Sequence, residues 1–131
     1  MKKNIFAFLL MLVCVSALAQ SHTQKDLIGK WEGTDEKNIT ASLTFLDSTK
    51  VVLSMLGSSK PPFNYVVDLS NDPGTLDLSV ETPGRKITLI GLIKFLDNDT
   101  VKWQIFLDGK KRTNFDTKIH DSIIVLKRVK L

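Results

Sequence analysis

From Leu27 onward the chain sets apolar against polar residues in short runs, and that two-residue period is what most limits its fold. Ala41, Leu43 and Phe45 alternate with Thr40, Ser42 and Thr44. Phe63, Tyr65, Val67 and Leu69 alternate with Asn64 and Asp68, and Leu76, Leu78 and Val80 with Asp77, Ser79 and Glu81. Val101, Trp103, Ile105 and Leu107 alternate with Lys102 and Gln104. Successive side chains of a strand point to opposite faces, so each run makes a strand with one apolar and one wet side. No segment in this region sustains a helical period. The fold class is all-β.

The turns between these runs set the register. In Thr82-Pro83-Gly84-Arg85 the proline presets φ and the glycine supplies a positive φ after it. A two-residue loop there puts Glu81 opposite Lys86 and Val80 opposite Ile87. Asp47-Ser48-Thr49 and Asp97-Asn98-Asp99 suit three-residue loops, which place Phe45 opposite Val51 and Phe95 opposite Val101. Asn71-Asp72-Pro73-Gly74 similarly predicts Leu69 opposite Leu76. Strands are expected near 29–34, 39–46, 50–56, 63–69, 75–81, 86–96, 100–107 and 122–130. A closed antiparallel meander needs an even count, so 108–121 is read as a long loop and a ninth strand around Phe115 is set aside. The result is an up-and-down antiparallel barrel of about eight strands, with a two-sheet sandwich as the alternative.

The first nineteen residues stand apart. Lys2 and Lys3 precede the apolar run Ile5 to Val15, which is short for a membrane span, and Ala17-Leu18-Ala19 offers a small-x-small cleavage step. A signal peptide cleaved before Gln20 is expected, hence a secreted or periplasmic product without a transmembrane segment. An uncleaved anchor is the alternative. Cleavage leaves 112 residues, removes the only cysteine, Cys14, and reduces the formal charge from +4 to +2. The mature domain then has no disulfide and must stand on its core. Nucleic-acid binding loses its electrostatic support. Residues 20–26 read as a polar tail and 27–131 as the barrel domain.

Several motifs together resemble a known group. Gly29-x-Trp31 and the late Arg128 are similar to the lipocalin pattern. More of the mature chain resembles a family of small secreted lipocalin-like bacterial domains with no established role. The opening Leu27-Ile28-Gly29-Lys30-Trp31, the middle Tyr65-Val66-Val67-Asp68-Leu69 with Leu76-Asp77-Leu78, and the hairpin Leu96-Asp97-Asn98-Asp99-Thr100-Val101 carry the resemblance. So does the ending Phe115-Asp116-Thr117 with Val125-Leu126-Lys127-Arg128. Family members carry Arg-Pro before the Thr-x-Phe step, whereas here Arg112 runs directly into Thr113. The resemblance implies a barrel closed at one end by Trp31, with Arg128 packed across it.

Candidate chemistry is sparse. His120 beside Asp121 has no accompanying nucleophile, and His22 lies in the tail, so no enzymatic activity is expected. Asp97 and Asp99 have calcium-loop spacing but lack that loop's glycine and terminal glutamate; no metal or cofactor is expected. Phe63, Tyr65, Trp103 and Phe115 are candidate ligand-lining aromatics, each also readable as core. Strand 86–96 is apolar on both faces. Its even residues Ile90 and Leu92, with Phe106 alongside, form a candidate outward patch for a homodimer or an envelope partner. In a meander the loops after alternate strands share an end. Lys60, Arg85, Lys111 and Arg112 then belong to a candidate basic mouth for an anionic or acyl ligand. Two functions follow: a carrier of a small apolar or amphipathic molecule, or an interaction module with a filled barrel.

Overall fold

Each alternating run forms a strand in the computed structural model, which describes residues 21–35, 38–55, 57–59, 61–118 and 123–130. The strands are β1 (Gly29–Thr34), β2 (Thr40–Phe45), β3 (Lys50–Met55), β4 (Ser58–Ser59) and β5 (Phe63–Asp68). β6 (Gly74–Thr82), β7 (Arg85–Asp97), β8 (Thr100–Phe106) and β9 (Ile123–Arg128) complete the set. Neighbours pair antiparallel in the order β1-β2-β3-β5-β6-β7-β8-β9, and β9 returns to β1, closing an eight-stranded barrel. β4 is a two-residue spur on β3 that the period did not announce, because two residues carry no alternation. Residues 108–118 contain no strand.

The turn chemistry fixes the pairing as expected at most hairpins. Phe45 faces Val51, Phe95 faces Val101, Glu81 faces Lys86 and Val80 faces Ile87. Gly84 takes φ +78° in its turn. One register differs: Val67, not Leu69, faces Leu76, so the β5–β6 loop is longer by one residue pair. The inner parity survives because the shift is two residues. Leu43, Phe45, Val51, Leu53, Phe63, Leu76, Leu78, Ile93, Val101 and Leu126 all point inward and are buried.

The outer face carries Lys30, Glu32, Thr40, Thr44, Lys86, Lys102 and Lys127. An apolar interior inside a polar exterior reverses the arrangement of a membrane-spanning barrel, whose outer band must be apolar. Among the described residues no helix is long and apolar enough to cross a membrane. The expected signal peptide lies outside the described residues. The polar stretch Ser21 to Asp26, read as a tail or one loose turn before Leu27, holds a turn. Gln24–Leu27 forms a 3-10 turn in which Thr23 and Asp26 cap one another, and Leu27 is fully buried.

Candidate ligand cavity

The two ends of the barrel are built differently, and the difference starts at Trp31. Gly29 sits at φ +122°, a conformation that residues with a Cβ rarely adopt, so glycine opens the strand, and Arg128 Nη1 would lie in ordinary contact with a Cβ there, at 3.9 Å. At Gly33 a Cβ would lie 2.0 Å from the Val125 carbonyl oxygen, and its absence lets β1 and β9 approach closely enough to close the barrel. Trp31 then faces Arg128 across the seam. Its ring is fully buried, edge-on to Phe95 at 6.0 Å, and its Nε1 donates to the Leu27 carbonyl at 2.8 Å.

Arg128 lies 4.2 Å over that ring and joins three segments. Nε donates to Asp99 Oδ1 at 3.0 Å, Nη2 to the Asp26 and Asn98 carbonyls at 2.6 and 3.1 Å, and Nη1 to the Ile28 carbonyl at 3.3 Å. The planar fork suits this multiple docking, which a lysine could not reproduce. Tyr65 belongs to the same end. Its hydroxyl donates to the Asp47 carbonyl at 2.6 Å and accepts from Gln24 Nε2 at 3.3 Å, while its ring meets Phe45 edge-on at 5.0 Å. Tyr65 therefore seals the closed end and does not line a ligand site.

The opposite end is open. A cavity of about 460 Å³ enters the barrel there, within the size range of small-molecule sites. Its wall comes from Ala41 and Leu53 on β2 and β3, Phe63 on β5, Leu89 on β7, Trp103 and Ile105 on β8 and Ile124 on β9. Phe63 and Trp103 thus stand where the sequence put them. Met55, Ile87 and Leu107 form the lip, 40%, 37% and 87% exposed. Among the described residues Asp35 is the one ionisable group in the lining. It is engaged in its own turn, where Oδ1 accepts from the Ile39 amide at 2.9 Å. Trp103 Nε1 is buried and has no hydrogen-bond partner among the described residues.

A smaller cleft of about 260 Å³ lies by the closed end. There Lys94 pairs with Asp72 at 3.5 Å and His22 stacks on Phe95 at 4.0 Å. It is small and half polar, so the larger apolar cavity is the better candidate site.

The long loop after β8 overturns three expectations. It folds back over the outer face of β7 and β8, held by Gln104. That side chain is fully buried, its Nε2 donating to the Asp116 carbonyl and its Oε1 accepting from the Asp116 amide, both at 2.9 Å. Arg112 lies 4.3 Å over the Phe106 ring and forms a two-pronged bond to Asp108 at 2.7 and 2.9 Å. Phe115 packs under Lys102 Nζ at 4.6 Å on the outside of the wall, so it lines no cavity. Leu92 and Phe106 do point outward but are 1% and 2% exposed, and Ile90 is half-buried. Phe106 lies beneath Arg112, and Leu92 is buried, so neither offers a free surface.

The basic mouth is also redrawn. Arg112 is drawn onto the outer wall, Lys111 and Arg85 are exposed beside the opening, and Lys60 lies outside the described residues. None of the three that are described lines the cavity. Bidentate pairing with Arg112 holds the Asp108 carboxyl well below the usual carboxylate range, and the same contact raises Arg112. Gln104 was missed from sequence because a glutamine at a polar position of an alternating strand looks solvent-facing. The expected His120–Asp121 pair also falls outside the described residues. Among the described residues no group of His, Cys, Asp or Glu is arranged to hold a metal. Comparisons with protein-family models, curated proteins and solved structures found no match.

Proposed function

We propose that this chain is an exported, non-enzymatic, lipocalin-like barrel that carries a small apolar or amphipathic molecule in its open half. The observation that supports this reading is the 460 Å³ cavity, whose wall is apolar apart from Asp35 at its edge. Water against such a wall is unfavourable by roughly 25 cal/mol per Å², and an apolar guest removes that cost. With no base among the described residues of the lining, the buried part of the guest is uncharged and any charged group stays at the lip. The rival reading, an interaction module using Ile90, Leu92 and Phe106, loses its surface because Leu92 and Phe106 are buried.

The test is native mass spectrometry of protein from its own envelope, followed by titration with a panel of fluorescent alkyl and acyl probes. A co-purifying small molecule and saturable probe binding are expected. Leu89→Glu, which plants a charge in the wall, should weaken binding at least tenfold, and Ala41→Phe should weaken it by filling the space. Protein that is empty from its source and takes up no probe would sink the proposal.

A further inference from the structure

The described bases that do not line the cavity lie on the β6–β8 side of its entrance, and their surroundings say what they face. Leu107, 87% exposed, is followed after a tight turn by Lys110 and Lys111, both exposed. Beside it the β6–β7 hairpin runs past its neighbours. β5 last pairs at Ser79 and β8 last pairs at Ile90, so the eight residues from Val80 to Ile87 pair only with each other. The tip of that hairpin holds Arg85 and Lys86, both exposed, with Ile87 at the lip.

The nearby acids are largely spoken for. Asp108 and Asp116 both lie against Arg112, at 2.7 and 3.9 Å, and Asp35 is held in its turn. Glu81 faces Lys86 across the hairpin. Among the described residues Arg85, Lys110 and Lys111 enter no ion pair. The β6–β8 side of the rim is therefore an apolar lip beside three exposed bases that enter no ion pair among the described residues, and the buried, uncharged part of a guest does not engage them.

We propose that the open rim docks on the surface of an anionic lipid bilayer, so that the cavity mouth faces the phase in which an apolar guest dissolves. This rests on the carrier reading. Exposed leucine and isoleucine enter the interfacial region while the bases meet lipid phosphates, the combination by which peripheral proteins hold a membrane. The buried Leu92 and Phe106 on β7 and β8 have no part in it.

The test is co-sedimentation with phosphatidylcholine vesicles, with and without phosphatidylglycerol, beside an alkyl-probe titration in solution. Binding is expected only with phosphatidylglycerol, and it should fall with added salt as charges at a surface are screened. Each lysine near the surface is worth about fivefold in affinity, so Lys110→Ser with Lys111→Ser should weaken docking on the order of twentyfold. The same double variant should leave probe affinity in solution unchanged. Equal binding to both vesicle types, binding to neither, or docking indifferent to the double variant overturns the proposal. A dimer that buries the rim and excludes vesicles would assign it to a second copy and overturn it equally. Failure to dock with probe binding intact leaves the carrier reading standing, whereas loss of probe binding by the unaltered protein strikes that reading.

Discussion

At the scale of single residues, Arg128 concentrates more structure than any other described side chain at the closed end. It reaches Asp26, Ile28, Asn98 and Asp99 and covers Trp31. Arg128→Met keeps the stem but drops the donors, and should cost about 2–3 kcal/mol, read as a lower urea midpoint. Arg128→Lys should recover less than half of that, because one ammonium cannot serve three segments. Trp103 is the opposite case. Its unpartnered Nε1 is a standing cost, so Trp103→Phe exchanges some packing for relief of a buried donor. Stability should change by less than about 1 kcal/mol. The same variant leaves Trp31 as the sole tryptophan, walled off at the far end. Fluorescence changes on probe binding should disappear; a persisting change would place the guest elsewhere.

At the scale of elements, the loop from Asp108 to Lys118 is held by one buried amide and one guanidinium. Gln104→Leu leaves the Asp116 amide and carbonyl without partners, and should cost about 2–3 kcal/mol and uncover Leu92 and Phe106. Increased binding of an apolar dye to the variant would show that uncovering; unchanged dye binding and stability would refute the clasp. Acid acts on a different set of contacts. Asp47 and Asp97 each accept an amide two residues on, and Asp68 accepts the Ser70 hydroxyl and amide; those hydrogen bonds lower their carboxyls from the usual 3.8. Asp108 is lowered by Arg112. A carboxyl depressed in the folded state contributes stability that is fully present above its unfolded value and lost as pH falls through the folded one. From these groups the melting temperature should stay flat through mildly acidic pH and drop below about pH 4. A decline that begins near neutrality would point to other groups.

At the scale of the whole molecule, closure decides which local readings survive. The alternating runs and the hairpin registers at Val51, Ile87 and Val101 were legible because strand parity and turn length are local properties, whereas the pairing of Trp31 with Arg128 was expected only from the family resemblance. Parity also told correctly which face of Ile90, Leu92, Phe106 and Gln104 points outward. It did not tell which outward residues meet water, since that depends on where a long loop lands. Phe115 and Tyr65 failed as lining residues for a related reason: alternation gives a side, whereas depth along the barrel and the path of the loop come from the closed fold. Sequence by itself determined an apolar-lined antiparallel barrel, through a period of two and the turn residues between its runs. Only the tertiary structure decided that an apolar cavity enters one end, that Leu92 and Phe106 on the outer face are buried, and that the described bases stand beside the mouth without lining it. Those outcomes depend on contacts between residues far apart in the chain, and no local pattern records them.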